Sequence, residues 1–342
     1  MIKSVHFKNF KVLRNATLPL SRFTLIVGPN GSGKSTAIQA ISMAFPGSGS
    51  SYPSSILPAS QQHAAEVTIE ITINWDVAGI PVTSKSKWGR NANGYWFQKP
   101  EHIDALGKSV EAALATNLDN VLSRVRVFSF EAAAISASAY LDPAPELSLN
   151  GSNLAAVLDD LRNSEEERFE ALNEELGRWL PEYDRVLFET KVMGQRTFSL
   201  RTRVGRHRIQ ASDLSHGTLL ALAFLTLAYL PNPPSIVCFE EPERGIHPRL
   251  LREVQDAMYR LCYPENYGES RDPVQVVATT HSPYLLDLYK DHPEEIVIAE
   301  KEGQETKFAR LSEKPNVEDF LQDAPLGEVW YSGILGGVPS RP

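Results

Sequence analysis

The sequence predicts an α/β fold: a central, mostly parallel sheet flanked by helices, with an antiparallel β-subdomain and a short helical lobe. Three observations carry that prediction. The apolar run Phe23–Val27 leads straight into Gly28-Pro29-Asn30-Gly31-Ser32-Gly33-Lys34-Ser35-Thr36 and then into a helical pattern over residues 37–41. Strand, glycine turn and helix in that order are the context of a phosphate-binding loop. Ile236-Val237-Cys238-Phe239 and residues 274–278 are continuous apolar runs, the signature of strands buried on both faces of a parallel sheet. Residues 67–75 alternate strictly, as a half-buried antiparallel strand does.

The elements follow in order. Residues 4–10 alternate as a strand ended by Asn9-Phe10-Lys11, and residues 16–20 form a second strand. The helix after the glycine loop ends near Phe45, because Pro46 and Gly47-Ser48-Gly49-Ser50-Ser51 cannot continue it; the stretch through Ser60 reads as a surface linker. A strand pair within residues 82–97 turns at Asn93-Gly94. Residues 103–115 read as a helix and residues 125–130 as a strand. Gly151-Ser152-Asn153 caps a helix over residues 154–161, residues 165–179 continue helically, and Pro181 stops them. Strands at 197–204 and 207–210 flank Gly205, and an apolar helix at 219–230 ends at Pro231. A helix from about 248 to 261, the strand 274–278, a helix opened by Ser282-Pro283 and a strand at 295–299 complete the core. The tail, 326–342, reads as an irregular extension. No heptad pattern persists, so no long coiled coil is expected.

With 342 residues, 42% hydrophobic and 22% charged, the chain has material for a sizeable core. A net charge of −8 argues against a generally basic wrapper of nucleic acid and leaves room only for a local basic groove. Cys238 and Cys262 have no metal or redox spacing, which suits a reduced, cytoplasmic setting. The start carries no apolar signal region, and the apolar block 219–230 is too short to span a bilayer, so no membrane partner is expected.

The chemistry is concentrated at four places. In the glycine loop, Asn30, Gly31, Ser32 and Gly33 present backbone N–H groups to phosphate; Lys34 reaches the β- and γ-phosphates, Ser35 ligates Mg²⁺, and Thr36 sits near the α-phosphate. Glu240-Glu241 follows the strand 236–239. A carboxylate at the carboxyl end of a buried strand is placed to hold Mg²⁺, and its neighbour to polarise water as a general base; we read Glu240 as the metal residue and Glu241 as the base. Ser215 and Gly217 begin the apolar helix and form either a second anion site or an ordinary N-cap. His281 lies just past the strand 274–278, within reach of a γ-phosphate or an attacking water, whereas His247 reads as structural or interfacial.

Taken together, these motifs and their order resemble the ABC-type ATPases, specifically the RecF and SMC-like branch and its stand-alone predicted ATPases. The resemblance rests on Asn9-Phe10-Lys11, Leu214-Ser215-His216-Gly217-Thr218, Glu240-Glu241-Pro242-Glu243-Arg244-Gly245-Ile246-His247-Pro248 and Thr280-His281-Ser282-Pro283, with Gly151-Ser152-Asn153-Leu154-Ala155 and Leu335-Gly336-Gly337 also familiar. It covers nearly the whole chain and implies a P-loop NTPase of ABC type occupying residues 1–342 as one domain. Within it, residues 1–130 hold the glycine loop and β-subdomain, 131–200 a helical lobe, and 201–342 the signature, acidic-strand and histidine-switch core. It also implies an ATP- and Mg²⁺-dependent hydrolase that forms a head-to-head homodimer around two nucleotides. Ser215 and Gly217 would then meet the γ-phosphate held on the partner's loop, residues 243–247 would face the partner's site, and His281 would contact the γ-phosphate of its own subunit.

Three departures stand out. Glu240 occupies a position usually held by aspartate, His216 replaces a small or acidic signature residue, and the glutamine expected after a lobe-joining strand is not evident: Glu131 holds about that place, whereas Gln61 and Gln62 precede a strand instead. The resemblance points to DNA repair or antiviral defence through a separate effector, perforce another chain if it is a nuclease, since no nuclease motif is legible here. Alternatives are a transporter's nucleotide-binding subunit and a binding switch with incidental turnover. Arg201, Arg203, Arg206 and Arg208 are the candidate DNA contacts, against the simpler reading of a solvated hairpin.

Overall fold

Residues 1–43, 66–91, 94–190, 192–303, 305–315 and 324–336 are described by the computed structural model. The linker through Ser60, Gln61, Gln62, Asn93, Gly337 and the end of the tail lie outside these residues. In chain order the first elements are β1 (Ile2–Phe10), β2 (Leu13–Pro19), β3 (Phe23–Val27), α1 (Lys34–Met43), β4 (Val67–Val77), β5 (Ile80–Asn91), β6 (Gly94–Asp104), α2 (Ala112–Ser123) and β7 (Val125–Phe128). The middle of the chain forms α3 (Ala132–Ile135), β8 (Ala139–Tyr140), α4 (Leu154–Ser164), α5 (Glu166–Trp179), β9 (Tyr183–Glu189), β10 (Gln195–Thr202), β11 (Arg208–Gln210) and α6 (His216–Tyr229). The last elements are β12 (Ile236–Glu240), α7 (Leu251–Cys262), β13 (Gln275–Thr280), α8 (Pro283–Asp287), β14 (Ile296–Glu302), β15 (Glu305–Arg310) and α9 (Leu326–Tyr331).

The chain divides into two compact units, the first made of Met1–Arg126, Pro234–Glu241 and Gln275–Pro342. Its antiparallel sheet runs in the order β2-β1-β4-β5-β6. The alternation seen in the sequence becomes a buried face of Ile69, Ile71, Ile73 and Trp75. Beside it lies the mostly parallel sheet, with strands in the order β15-β14-β3-β13-β12-β7; β14, β3, β13 and β12 run parallel, and β15 runs antiparallel to β14. Every residue of β3 and β13 is buried, as continuous apolar strands in a covered parallel sheet must be. Register aligns Glu240 with Thr279, Thr280 with Val27, and Val27 with Ile298. The carboxyl ends of these four strands therefore share one edge, where open α/β sheets bind ligands.

The second unit comprises Val127–Pro233 and Pro242–Val274. Here β10 pairs with β8, β9 and β11, and α4 to α7 supply the helical lobe. Residues 218–229 of α6 are all buried, which explains a helix apolar all round: it is a core helix. Among the described residues no helix is long and apolar enough to cross a membrane.

Four local expectations fail, for physical reasons. Residues 103–115 do not form a helix; β6 runs through Asp104 and α2 starts only at Ala112. Polar inward positions conceal that strand, with the buried His102 ring bonded through Nδ1 to Ser84 Oγ (2.6 Å) and through Nε2 to Asp119 (3.0 Å). Strand β9 lies where no strand is read. Asn153 precedes α4 without capping it: its Oδ1 accepts from Ser148 N–H (2.8 Å) and its Nδ2 donates to the Glu146 carbonyl (2.7 Å), bracing the preceding loop instead. The tail contains α9, held to α8 by the Gly327 N–H on Asp287 Oδ1 (2.6 Å).

Candidate phosphate-binding site and its second surface

The loop from Gly28 to Gly33 crosses from β3 to α1 so tightly that side chains are excluded at its two ends. A Cβ on Gly28 would collide with the Ala299 carbonyl of β14, and one on Gly33, whose φ is +96°, would stand 2.9 Å from Thr306 Oγ1. Lys34, only 5% exposed, folds back so that its ammonium donates to the Gly28 (2.8 Å) and Pro29 (3.0 Å) carbonyls. Burial pushes its pKa down to about 8, with Glu241 drawing it partly back up. Ser35 is exposed and Thr36 half-buried in the first turn of α1.

At the same sheet edge, β12 ends in the exposed Glu240, and Glu241 turns the chain away with φ +50°. That left-handed conformation is costly for a residue bearing Cβ. It is held by the Glu241 N–H, which donates to the carbonyl of Thr279 (3.0 Å) and lies 3.3 Å from its Oγ1. His281 Nε2 stands 3.8 Å from Glu241 Oε1. Burial first, then the charge of Lys34, lowers the His281 pKa, and Glu241 opposes them. Lys34, Glu241 and His281 thus form one electrostatic group. Thr279, which secures Glu241, escaped the sequence reading although it directly precedes the Thr280-His281 motif.

These residues fit a triphosphate and a hard cation. Ser32 is fully buried with no hydrogen-bond partner for its hydroxyl among the described residues, in a loop where a Cβ on Gly28 would stand 3.0 Å from that hydroxyl. Ser35 and Glu240 supply oxygen donors of the type Mg²⁺ prefers. Among the described residues no group of three or more His, Cys, Asp or Glu side chains is gathered for a metal.

In the second unit, Ser215 is the N-cap of α6 and accepts from the Thr218 N–H (3.1 Å), so the simpler reading of its hydroxyl is realised. Its helix start nevertheless forms one surface with the turn after β12. Gly217 lies so close to that turn that a Cβ would stand 3.3 Å from the Gly245 carbonyl, and Gly245 itself has φ +81°. Ser215, His216, Arg244, Gly245 and His247 are all exposed there.

The candidate DNA arginines are largely committed to their own unit. Arg201 makes a two-pronged pair with Asp184 (2.8 and 3.0 Å), Arg203 donates to the Pro181 and Gly177 carbonyls, and Arg208 lies 3.7 Å from Glu189. Arg206 sits at the turn with φ +51°. Glu131, a candidate for the missing glutamine, is exposed at the start of α3.

Comparison with known proteins gives two family matches. Residues 112–287, just over half of the chain, match the family described as AAA domain, putative AbiEii toxin, Type IV TA system; residues 1–135 match the AAA ATPase domain. An OLD nuclease of Thermus scotoductus is 49% identical over 43 residues, which is 13% of this chain and only 8% of that protein's length. The SMC head bound to the C-winged helix domain of ScpA matches 90% of this chain and 97% of its own, at 16% identity and a TM-score of 0.58. The SMC head domain of Thermotoga maritima matches 90% and 98% at 17% identity, with a TM-score of 0.48. The first of these two shows a shared fold.

Proposed function

This chain belongs to the AAA-domain family described as AAA domain, putative AbiEii toxin, Type IV TA system, and is an ATPase with the fold of an SMC head; from that premise we propose that it is an ATP-gated homodimeric switch. The switch controls a separate effector protein, a nuclease or DNA-processing factor working in repair or anti-phage defence. The carrying observation is the exposed surface built by Ser215, Gly217 and the turn at Gly245. A helix start with free N–H groups, presented outward beside a glycine turn, suits the phosphate of a second copy.

In this reading Lys34 leaves the loop carbonyls for the β- and γ-phosphates, while the N–H groups of Asn30 to Gly33 cradle them. When bound with the nucleotide, Mg²⁺ neutralises phosphate charge, and Ser35 and Glu240 are the residues proposed to hold it. Glu241 accepts the proton of the attacking water. His281, kept neutral by its surroundings, hydrogen-bonds the γ-phosphate or that water. Ser215 and Gly217 add donors to the triphosphate held by the partner, so binding draws two chains together and hydrolysis parts them. The stretch shared with an OLD nuclease, and an SMC head seen with another protein's domain, support the effector part of the reading.

The decisive experiment is the size of Glu241→Gln with and without Mg-ATP. We expect hydrolysis slowed by about 100-fold or more and a stable dimer that forms only with nucleotide. A variant that turns over normally removes Glu241 as base, and one that stays monomeric at saturating Mg-ATP sinks the dimer.

A further inference from the structure

The phosphate loop is supported from beneath by the β14–β15 hairpin, and one side chain there is out of keeping with its surroundings. Thr306 of β15 is 1% exposed, and its hydroxyl has no hydrogen-bond partner among the described residues. It lies directly against Gly33, where a Cβ would stand 2.9 Å from Oγ1 and 3.3 Å from Cγ2. Leu13 Cδ2 closes the same spot at 3.0 Å, so an apolar side chain packs beside the hydroxyl. Nor is Thr306 on a loose element. It faces Lys301 across the β14–β15 ladder, and Arg310 at the far end of β15 donates to Ser21 Oγ (2.7 Å) and the Leu20 carbonyl (2.9 Å).

A buried hydroxyl without a partner is destabilising, and such groups in a native protein call for an explanation. Donor and acceptor accounting suggests one. The ammonium of Lys34 now satisfies the Gly28 and Pro29 carbonyls. When it turns to phosphate, the Gly28 carbonyl loses that donor, while the Pro29 carbonyl keeps the Ser32 N–H (3.2 Å). Loop N–H groups that converge on an anion also force neighbouring carbonyls outward, away from the ligand and towards the supporting strand. Under Gly33, the supporting residue is Thr306.

We propose that Thr306 is a positioning residue for the phosphate loop, its hydroxyl donating to an outward-turned carbonyl of the loop only in the nucleotide-bound conformation. It rests on the reading that the loop around Lys34 holds the triphosphate. The hydroxyl is therefore idle in the free protein and employed in the bound one, so it favours binding at the expense of the empty state.

That asymmetry gives a test in which a merely structural role behaves differently. Thr306→Val keeps shape and removes the hydroxyl; Thr306→Ser keeps the hydroxyl and removes the methyl. Melting temperature is measured without nucleotide and with increasing Mg-ATP, together with ATP affinity by titration. Thr306→Val should melt roughly 1–3 °C higher than the parent when nucleotide-free, gain less from Mg-ATP, and bind ATP about five- to tenfold more weakly. Thr306→Ser should melt lower yet keep parental affinity. If Thr306→Val binds ATP as tightly as the parent, or Thr306→Ser loses affinity equally, the assignment is overturned while the ATPase reading stands. A parent chain that fails to bind ATP at all overturns both.

Discussion

Lys34 is the residue whose state depends most on company. Free of phosphate it is buried against two carbonyls, and burial holds its pKa down at about 8 against an ordinary 10.5. Between those values the unfolded chain binds more protons than the folded one, so stability should rise with pH across that window. Nucleotide affinity should move the opposite way, because a neutral lysine must take up a proton before it can pair with phosphate. The expectation is a Kd for ATP that grows by up to about tenfold per pH unit above pH 8, with the slope absent in Lys34→Ala, which should bind ATP only poorly throughout. Titrations between pH 7 and 9.5 would check it, and a flat parental profile would refute the role given to this ammonium. Of this group, Lys34, Glu241 and His281 were legible because each sits in a motif of fixed order. Thr279 and Thr306 were not, since a threonine at the end of a strand or inside one carries no signal until its neighbours in space are known.

At the scale of elements, the apolar strands and α6 were readable because their burial leaves one interpretation. Polar strands were harder. In β6 the ladder to β5 shifts register between Lys85 and Lys87, and the inward His102 is satisfied by Ser84 and Asp119 rather than by apolar neighbours. Periodicity alone therefore suggested a helix where the strand continues. Strand β9 was missed for a similar reason: six of its seven positions, all but Val186, are only partly buried. The start of α6 carries the element-level prediction. Ser215→Arg should remove the N-cap bond to Thr218 and set a bulky cation on the exposed surface beside Gly245, while the loop in the other unit is untouched. We expect the monomer to bind ATP with unchanged affinity, but ATP-driven dimerisation and turnover to be lost; normal steady-state hydrolysis would show that this surface does not complete a partner's site.

For the whole molecule, net charge argued against a generally basic wrapper of nucleic acid, and three of the four candidate DNA arginines are engaged within their own unit. The proposed biological output therefore belongs to an effector. Purified chain supplied with Mg-ATP is expected to leave supercoiled and single-stranded DNA uncut, with cleavage appearing only when a co-purified partner is added back. Cutting by the chain alone would sink the division of labour. The polypeptide's two units each carry their own set of motifs.

Glu241 has a consequence of its own. Its backbone occupies a left-handed conformation, φ +50°, that glycine adopts freely and glutamate does not. Glycine at this position would relax the turn while discarding the carboxylate, so with Glu241 as the proposed base the sturdier molecule would be the inert one. Any lineage or laboratory screen that rewards heat resistance without demanding turnover will drift towards silence at this single codon.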